Sequence, residues 1–397
     1  MASEPVGSSA APPTALPSAA PLPPPAPSTL PPSAPPQPLS APAAVSSFAT
    51  LQPPSTPVAA PTPAPLPPIV AGPHLALLLP LGSKAFGLHA EAVRDGFLAA
   101  ARAQGGTALP VNVYAVGDDP QQVVETYIKA LGLGARVVVG PLTRNGVTAL
   151  AESAAVMVPT LALNVPEGRI PAVPEFYMLS LQAETEARQV AQLAWQDGRR
   201  NALTVTGETA LLRRIHQAFV EEFTRLGGTH LAVLAFTTDP EGLASIKKAA
   251  DAAIDTETAD MAFLALDLTR ARLSRAYLST LPIYATSQVH PGNIGPLVAF
   301  DLAGVRFLDM PWLLQPENPV VMVYPRPDYD ETVEFSRFYA LGIDAFRIAT
   351  VLLAGKPGAV FNGVTGQLTL GQDSLFVRAL TAAQFNDGRL TVVRERR

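Results

Sequence analysis

Residues 74–106 read HLALLLPLGSKAFGLHAEAVRDGFLAAARAQGG, and this stretch decides the fold class. His74–Leu79 is a short run suited to a buried strand, and Pro80 to Gly87 is a polar, glycine-containing turn. Ala90, Val93, Phe97 and Ala100 then recur at steps of 3, 4 and 3, which is one face of a helix. Gly105-Gly106 stops that helix. A strand, a turn and an amphipathic helix make one βα unit.

The unit repeats downstream. Val111–Val116 alternates as a strand, Asp118-Asp119-Pro120 starts a helix over Gln121–Leu131, and Arg136–Val139 is an apolar strand. Gly140-Pro141-Leu142-Thr143 leads into a helix near Asn145–Ala155, and Thr160–Leu163 is a further strand. A second run follows, with helices over Gln182–Trp195, Leu212–Leu226, Glu241–Ile254 and Arg270–Ser279. Between them lie strands at Ala202–Val205, His230–Phe236, Met261–Leu266 and Ile283–Ala285. Strands alternating with helices mean parallel sheets and right-handed crossovers. Two such runs predict an α/β protein of two lobes. A closed eight-fold barrel is the runner-up, interrupted by an irregular stretch, Gly292–Asp330. A late helical pattern through Phe335, Phe338, Tyr339, Gly342, Phe346, Ala349 and Leu353, then short strands over Gly363–Arg394, predict a chain that crosses between lobes more than once.

Before this body the composition changes. Of the 42 prolines in 397 residues, 23 fall before residue 73, and Glu4 is the sole charged residue there. Such a tract cannot bury enough apolar surface to offset its ordering entropy. Residues 1–72 are expected to form an extended, polyproline-II-like linker, reaching at most roughly 220 Å. The net charge of −5, without basic clusters, argues against nucleic acid and anionic membrane surfaces as partners. The longest apolar runs, such as Ala76–Leu81, are far too short to span a bilayer. Cysteine is absent, which removes disulfides, thiolate nucleophiles and Cys-based metal sites. The start, Met-Ala-Ser-Glu-Pro, shows no secretory leader, so the chain is expected to be either cytoplasmic or a processed form.

No catalytic signature stands. Gly132-x-Gly134 lacks a third glycine and precedes a strand, Gly355-Lys356 is no phosphate loop, and Ser245-x-x-Lys248 has no Lys-Thr-Gly companion. The five histidines, His74, His89, His216, His230 and His290, fall at no metal-ligand spacing and are expected at surfaces or edges. The acid pairs Asp118-Asp119, Glu221-Glu222 and Asp330-Glu331 suit caps and solvated faces. No enzyme, cofactor or metal is expected. Ligands of open α/β sheets sit beyond the carboxyl ends of strands, near helix N-termini. That selects Ser83, Thr143, Asn164, Glu208, Thr209, Asp267 and Ser287 as candidate residues of an inter-lobe cleft.

Several stretches carry a family resemblance. Leu77-Leu78-Leu79-Pro80-Leu81, Ala92-Val93-Arg94-Asp95-Gly96-Phe97, Val138-Val139-Gly140-Pro141-Leu142 and Pro159–Asn164 resemble the opening of a type I periplasmic-binding-protein fold. Leu281–Ser287, Phe307–Trp312, Tyr339–Phe346 and Gly363–Leu368 closely resemble the penicillin-binding-protein activator lipoproteins, over nearly all of residues 73–390. The resemblance implies two lobes joined by three crossovers near 178–183, 308–314 and 357–364. The first lobe is then 73–178 with 312–357, and the second 179–311 with 358–397. It implies a non-catalytic outer-membrane lipoprotein facing the periplasm, which activates a bifunctional class A peptidoglycan synthase, a penicillin-binding protein, by direct contact. Better-known members carry an N-terminal helical-repeat domain where this chain has the Pro/Ala tract. Ala382 stands where the family pattern around Arg378–Phe385 usually has an aromatic. The lipid anchor of the family requires a cysteine, and Met1 is read as standing in its place. The alternative is a periplasmic solute-binding receptor for an amino acid or similar small molecule, since fold does not fix function. A cell-wall hydrolase is the weakest of the three.

Overall fold

A computed structural model describes residues 68–105, 109–168, 172–278, 280–327 and 332–393, all within the compact unit Ala64–Arg397. The expected linker lies outside the described residues up to residue 67, as do Asp330 and Glu331. Its end is corrected by the structure. Asn112 Nδ2 donates to Val70 O at 2.8 Å and Gly72 N donates to Leu133 O at 2.9 Å, so residues 70–72 already lie on the fold.

The first lobe opens with β1 (His74–Leu79), α1 (Gly87–Ala103), β2 (Val111–Ala115), α2 (Pro120–Gly132), β3 (Ala135–Val139), α3 (Arg144–Glu152), β4 (Thr160–Ala162) and β5 (Phe176–Leu179). The chain then builds the second lobe with α4 (Ala183–Gln196), β6 (Asn201–Thr206), α5 (Ala210–Arg225), β7 (Thr229–Ala235), α6 (Pro240–Asp255), β8 (Met261–Ala265), α7 (Leu268–Arg275), β9 (Ile283–Ala285), α8 (Pro296–Asp301) and β10 (Val305–Asp309). It returns through two short helices, α9 (Pro311–Leu314) and α10 (Pro319–Met322), to the long α11 (Val333–Leu353), then β11 (Phe361–Asn362), β12 (Gln367–Leu370) and β13 (Leu375–Ala379). Two last strands, β14 (Thr381–Asn386) and β15 (Arg389–Val392), close the second lobe.

The first sheet has the order β11-β12-β13-β5-β4-β3-β1-β2 and the second β15-β14-β10-β9-β8-β6-β7. The centre of each is parallel, and each ends in antiparallel strands, β11 and β12 in one and β14 and β15 in the other. The fold is thus α/β with two parallel-dominated sheets flanked by helices. Two expectations are corrected. Residues 361–379 were assigned to the second lobe but pair in the first sheet, where β13 lies beside β5, so the third crossing is at Leu380 and not near 357–364. The described part of the stretch expected to be irregular from Gly292 contains β10 and three short helices.

β1 is buried along its whole length because helices cover both faces of its sheet. Leu75, Leu77 and Leu79 join a core with α1 and α11, while Ala76 and Leu78 face α2 and α3. In the second sheet, Leu203 and Val205 meet the α6–α8 side, and Met261 and Phe263 meet α4 and α5. The helices α1 and α11 approach one another very closely. A β-carbon on Gly96 would sit 2.8 Å from the Tyr339 carbonyl carbon, and one on Gly342 would sit 2.8 Å from Phe97 N. Backbone touches backbone there.

Asp344, fully buried on α11, holds the turn between β11 and β12. Its carboxylate accepts from Val364 N at 3.0 Å, and from Thr365 N and Oγ1 at 2.7 Å each, while Arg347 Nη1 donates to it at 3.2 Å. Burial raises its pKa, opposed by Arg347 and these hydrogen bonds. Asp344→Ala orphans two backbone N–H groups and is expected to cost roughly 2 kcal/mol in urea unfolding; unchanged stability would show that the turn holds itself. Among the described residues, no helix is long and apolar enough to cross a membrane.

Candidate functional site

A cleft of about 610 Å³ runs between the lobes at the carboxyl ends of strands from both sheets. Its wall includes Asn164 after β4, Ser287 and His290 after β9, and Asp309 at the end of β10. Glu184 and Glu186 enter from the first turn of α4, Arg144 from the start of α3, Arg214 from α5, Arg337 from α11 and Arg378 from β13. Leu163, Leu181, Phe338 and Leu341 add apolar surface to the same wall.

The deepest of these side chains are wired together. Glu186 is buried and accepts from both Ser287 N and Ser287 Oγ, the latter at 3.0 Å. Asp309 accepts from His290 Nδ1 at 2.7 Å and Arg337 Nη2 at 2.7 Å, and its second oxygen from Met310 N at 2.8 Å. Burial, followed by the nearby Asp309 charge, pushes Glu186 up to about 7, against the Ser287 hydrogen bonds and Arg337. Asp309 goes the other way. Burial alone would raise it, but Arg337 and His290 outweigh that and hold it below the usual carboxylate range. Burial lowers Arg378, whereas for Arg337 the carboxylates Asp309 and Glu186 overcome burial and raise it. A serine, a histidine and an aspartate thus lie in one wall, but the serine hydroxyl bonds Glu186 and the imidazole bonds Asp309. They do not form a nucleophile–base–orienter relay.

Of the seven candidate residues, the structure brings Asn164 and Ser287 together in the cleft wall. Asn164 is engaged locally, donating to Leu142 O at 3.0 Å and accepting from Val165 N at 3.0 Å. The other five do not line the cleft. Ser83 Oγ accepts from Phe86 N at 3.0 Å in the turn before α1, and Thr143 precedes α3 without a side-chain cap. Thr209 caps α5 through Leu212 N at 3.2 Å, and the Glu208 carbonyl accepts from Arg213. Asp267 caps α7 through Arg270 N at 3.0 Å and pairs with the Arg270 guanidinium. Glu186, His290, Asp309, Arg337 and Arg378 were not anticipated. Two histidines expected at surfaces are buried: His290, and His74, whose Nε2 meets Tyr114 Oη at 2.9 Å.

Two α/β lobes crossed three times by the chain, with a cleft at the carboxyl ends of their strands, define the type I periplasmic-binding-protein class. Within it, this chain belongs to the LppC putative lipoprotein family, whose model matches residues 43–388. A curated relative, penicillin-binding protein activator LpoA of Erwinia tasmaniensis, is 26% identical over 326 residues, covering 70% of this chain and 48% of its own. The LpoA of Pectobacterium parmentieri is 26% identical over 330 residues, covering 72% and 48%. The chain therefore spans about half the length of the curated relatives it matches. These relatives are named activators rather than enzymes. Among solved structures, a Chromobacterium violaceum chain described as a "putative branched-chain amino acid ABC transporter" is 40% identical, with TM-score 0.68, over 78% of this chain and 99% of that one. The LpoA C-domain of Haemophilus influenzae, described as a regulator of PBP1A, shares the fold at 24% identity and TM-score 0.69, over 81% of this chain and all of that domain.

Proposed function

We propose that this chain is a non-catalytic regulator of a bifunctional class A peptidoglycan synthase. It activates the enzyme by direct contact, as an outer-membrane lipoprotein with its lobes in the periplasm. The observation that carries this reading is the match of the two-lobed body to curated relatives named penicillin-binding protein activators. The likeness of the same body to the whole LpoA C-domain agrees with it. On this reading the lobes themselves carry synthase-contacting surface. Mixing the full chain with its cognate class A synthase is expected to raise glycan polymerisation or peptide crosslinking several-fold. No increase in either would overturn the proposal.

A second reading has its own support in the 40% identical chain described as a transporter component and in the charge-lined cleft. Here the protein is a receptor for an amino acid or similar small solute, with Asn164, Ser287, Arg144 and Arg214 at the ligand. A thermal-shift screen of free amino acids distinguishes the two, because binding to the folded state alone raises Tm by mass action. A clear hit, with no stimulation of the synthase, would reverse the ranking.

A further inference from the structure

Each of the three places where the chain passes between lobes is flanked by a buried charged side chain. Glu186 follows the first, Asp309 precedes the second at Met310, and Arg378 precedes the third at Leu380. Arg337 approaches them from α11 of the first lobe, and its Nη2 donates only to second-lobe acceptors. These are Asp309 Oδ2 at 2.7 Å, His290 O at 3.1 Å and Ser287 O at 3.3 Å. Arg378 stays on the first-lobe side, donating to Ser180 O at 2.9 Å and Thr365 O at 3.3 Å. Arg337 is therefore a non-covalent tie laid directly across the hinge.

Glu186 faces this tie from α4. The groups around it are Asp309 from β10, Ser287 from the one-turn 3-10 helix Ser287–Val289, Arg337 from α11 and Arg378 from β13, with His290 reached through Asp309. On its own helix, Glu184 pairs with Arg214 of α5 at 2.7 Å, and Arg144 of α3 lines the same cleft. An ionised Glu186 in the cleft as it stands is stripped of water, a penalty larger than its attraction to Arg337 across the lobes. Asp309, on its own lobe, repels it whether the cleft is narrow or wide. A wider cleft returns water to it, because its side chain forms part of the cleft wall. Loss of its proton and separation of the lobes therefore favour one another.

We propose that this cluster is a proton-gated latch on the lobe angle: with Glu186 neutral the Arg337–Asp309 tie holds the cleft closed down, and ionised Glu186 selects a wider, hydrated cleft. The latch would act near neutral pH, where burial and Asp309 place Glu186. It does not depend on which partner the lobes serve.

The absence of cysteine makes the test direct. In the full chain, Met157→Cys and Leu297→Cys put spin labels on exposed positions of the two lobes. Their dipolar distance is expected to lengthen between about pH 5.5 and about pH 8.5, with a midpoint near that of Glu186. Glu186→Gln is expected to keep the short distance at both ends. Arg337→Gln, which removes the tie, is expected to show the long distance already at the acidic end. Lengthening that persists in Glu186→Gln would assign the motion to another group and overturn the proposal. A wild-type distance that never moves, or a short distance in Arg337→Gln at acidic pH, would overturn it equally.

Discussion

Gly342→Ala is expected to destabilise the protein by about 3 kcal/mol or more, lowering Tm by roughly 5–10 °C. The sign is the informative part. In a helix interior alanine is normally better than glycine by about 1 kcal/mol, because it loses less backbone entropy on folding. At Gly342 the added methyl would overlap Val93 O on α1 and crowd Phe97 N at 2.8 Å, and neither backbone atom can rotate away as a side chain can. The helices must separate, and the separation strips contact from Phe97 and Phe346, whose rings meet edge to face at 5.2 Å. Gly96→Ala should behave alike, through Tyr339. Gly132, with nothing within 4 Å of its virtual β-carbon, serves as the control and should be neutral on substitution. A raised Tm for Gly342→Ala would show that α1 and α11 do not meet as described.

Glu186→Gln carries the second large effect, and it depends on pH. Glu186 keeps its proton up to about 7 in the folded protein, whereas the unfolded chain releases it near the ordinary value of 4.5. The stabilisation from its raised pKa is thus fully present below 4.5, declines as pH rises, and is gone above about 7. Glutamine mimics the neutral acid and cannot ionise. It should match wild type in acid and exceed it above neutrality by at most on the order of 3 kcal/mol. Asp309, held low, works in the opposite sense: its contribution fades only as pH falls through the acid range, and it does so in both proteins. Urea unfolding across that range checks the prediction. A variant less stable than wild type at alkaline pH would mean that Glu186 is held as a carboxylate.

Much of the architecture was legible because it is written in local period. Ala90, Val93, Phe97 and Ala100 are all buried, as are Leu212, Ile215, Phe219 and Phe223 on α5. The late helical pattern is α11. The final crossing, which the family resemblance placed near 357–364, lies at Leu380 instead, because β11–β13 are returned to the first sheet by the pairing of β13 with β5, distant in sequence. The same non-locality hid the site. Glu186 reads as an ordinary acid in the first turn of a helix, beside an apolar stripe of Ala187, Val190 and Ala191. It becomes a buried acid only when Ser287 and Asp309 fold over it. Strand-end turn chemistry found Asn164 and Ser287, but it equally selected Thr209 and Asp267, which are helix caps.

The placement of α11 against α1 governs the order in which the molecule can be made. β1 and α1 emerge early from a synthesising ribosome, but their covering helix follows only after the whole of β6–β10. The first sheet is incomplete until Ala379 and the second until Val392, so neither lobe is complete before its late-made strands have joined. Contacts this distant in sequence form slowly, and the apolar face of β1 waits uncovered meanwhile. Neither lobe exists as a continuous segment that can be cut out and expressed alone. A chain ending after β13 would hold every strand of the first sheet but leave β10 an open edge, inviting pairing with other chains.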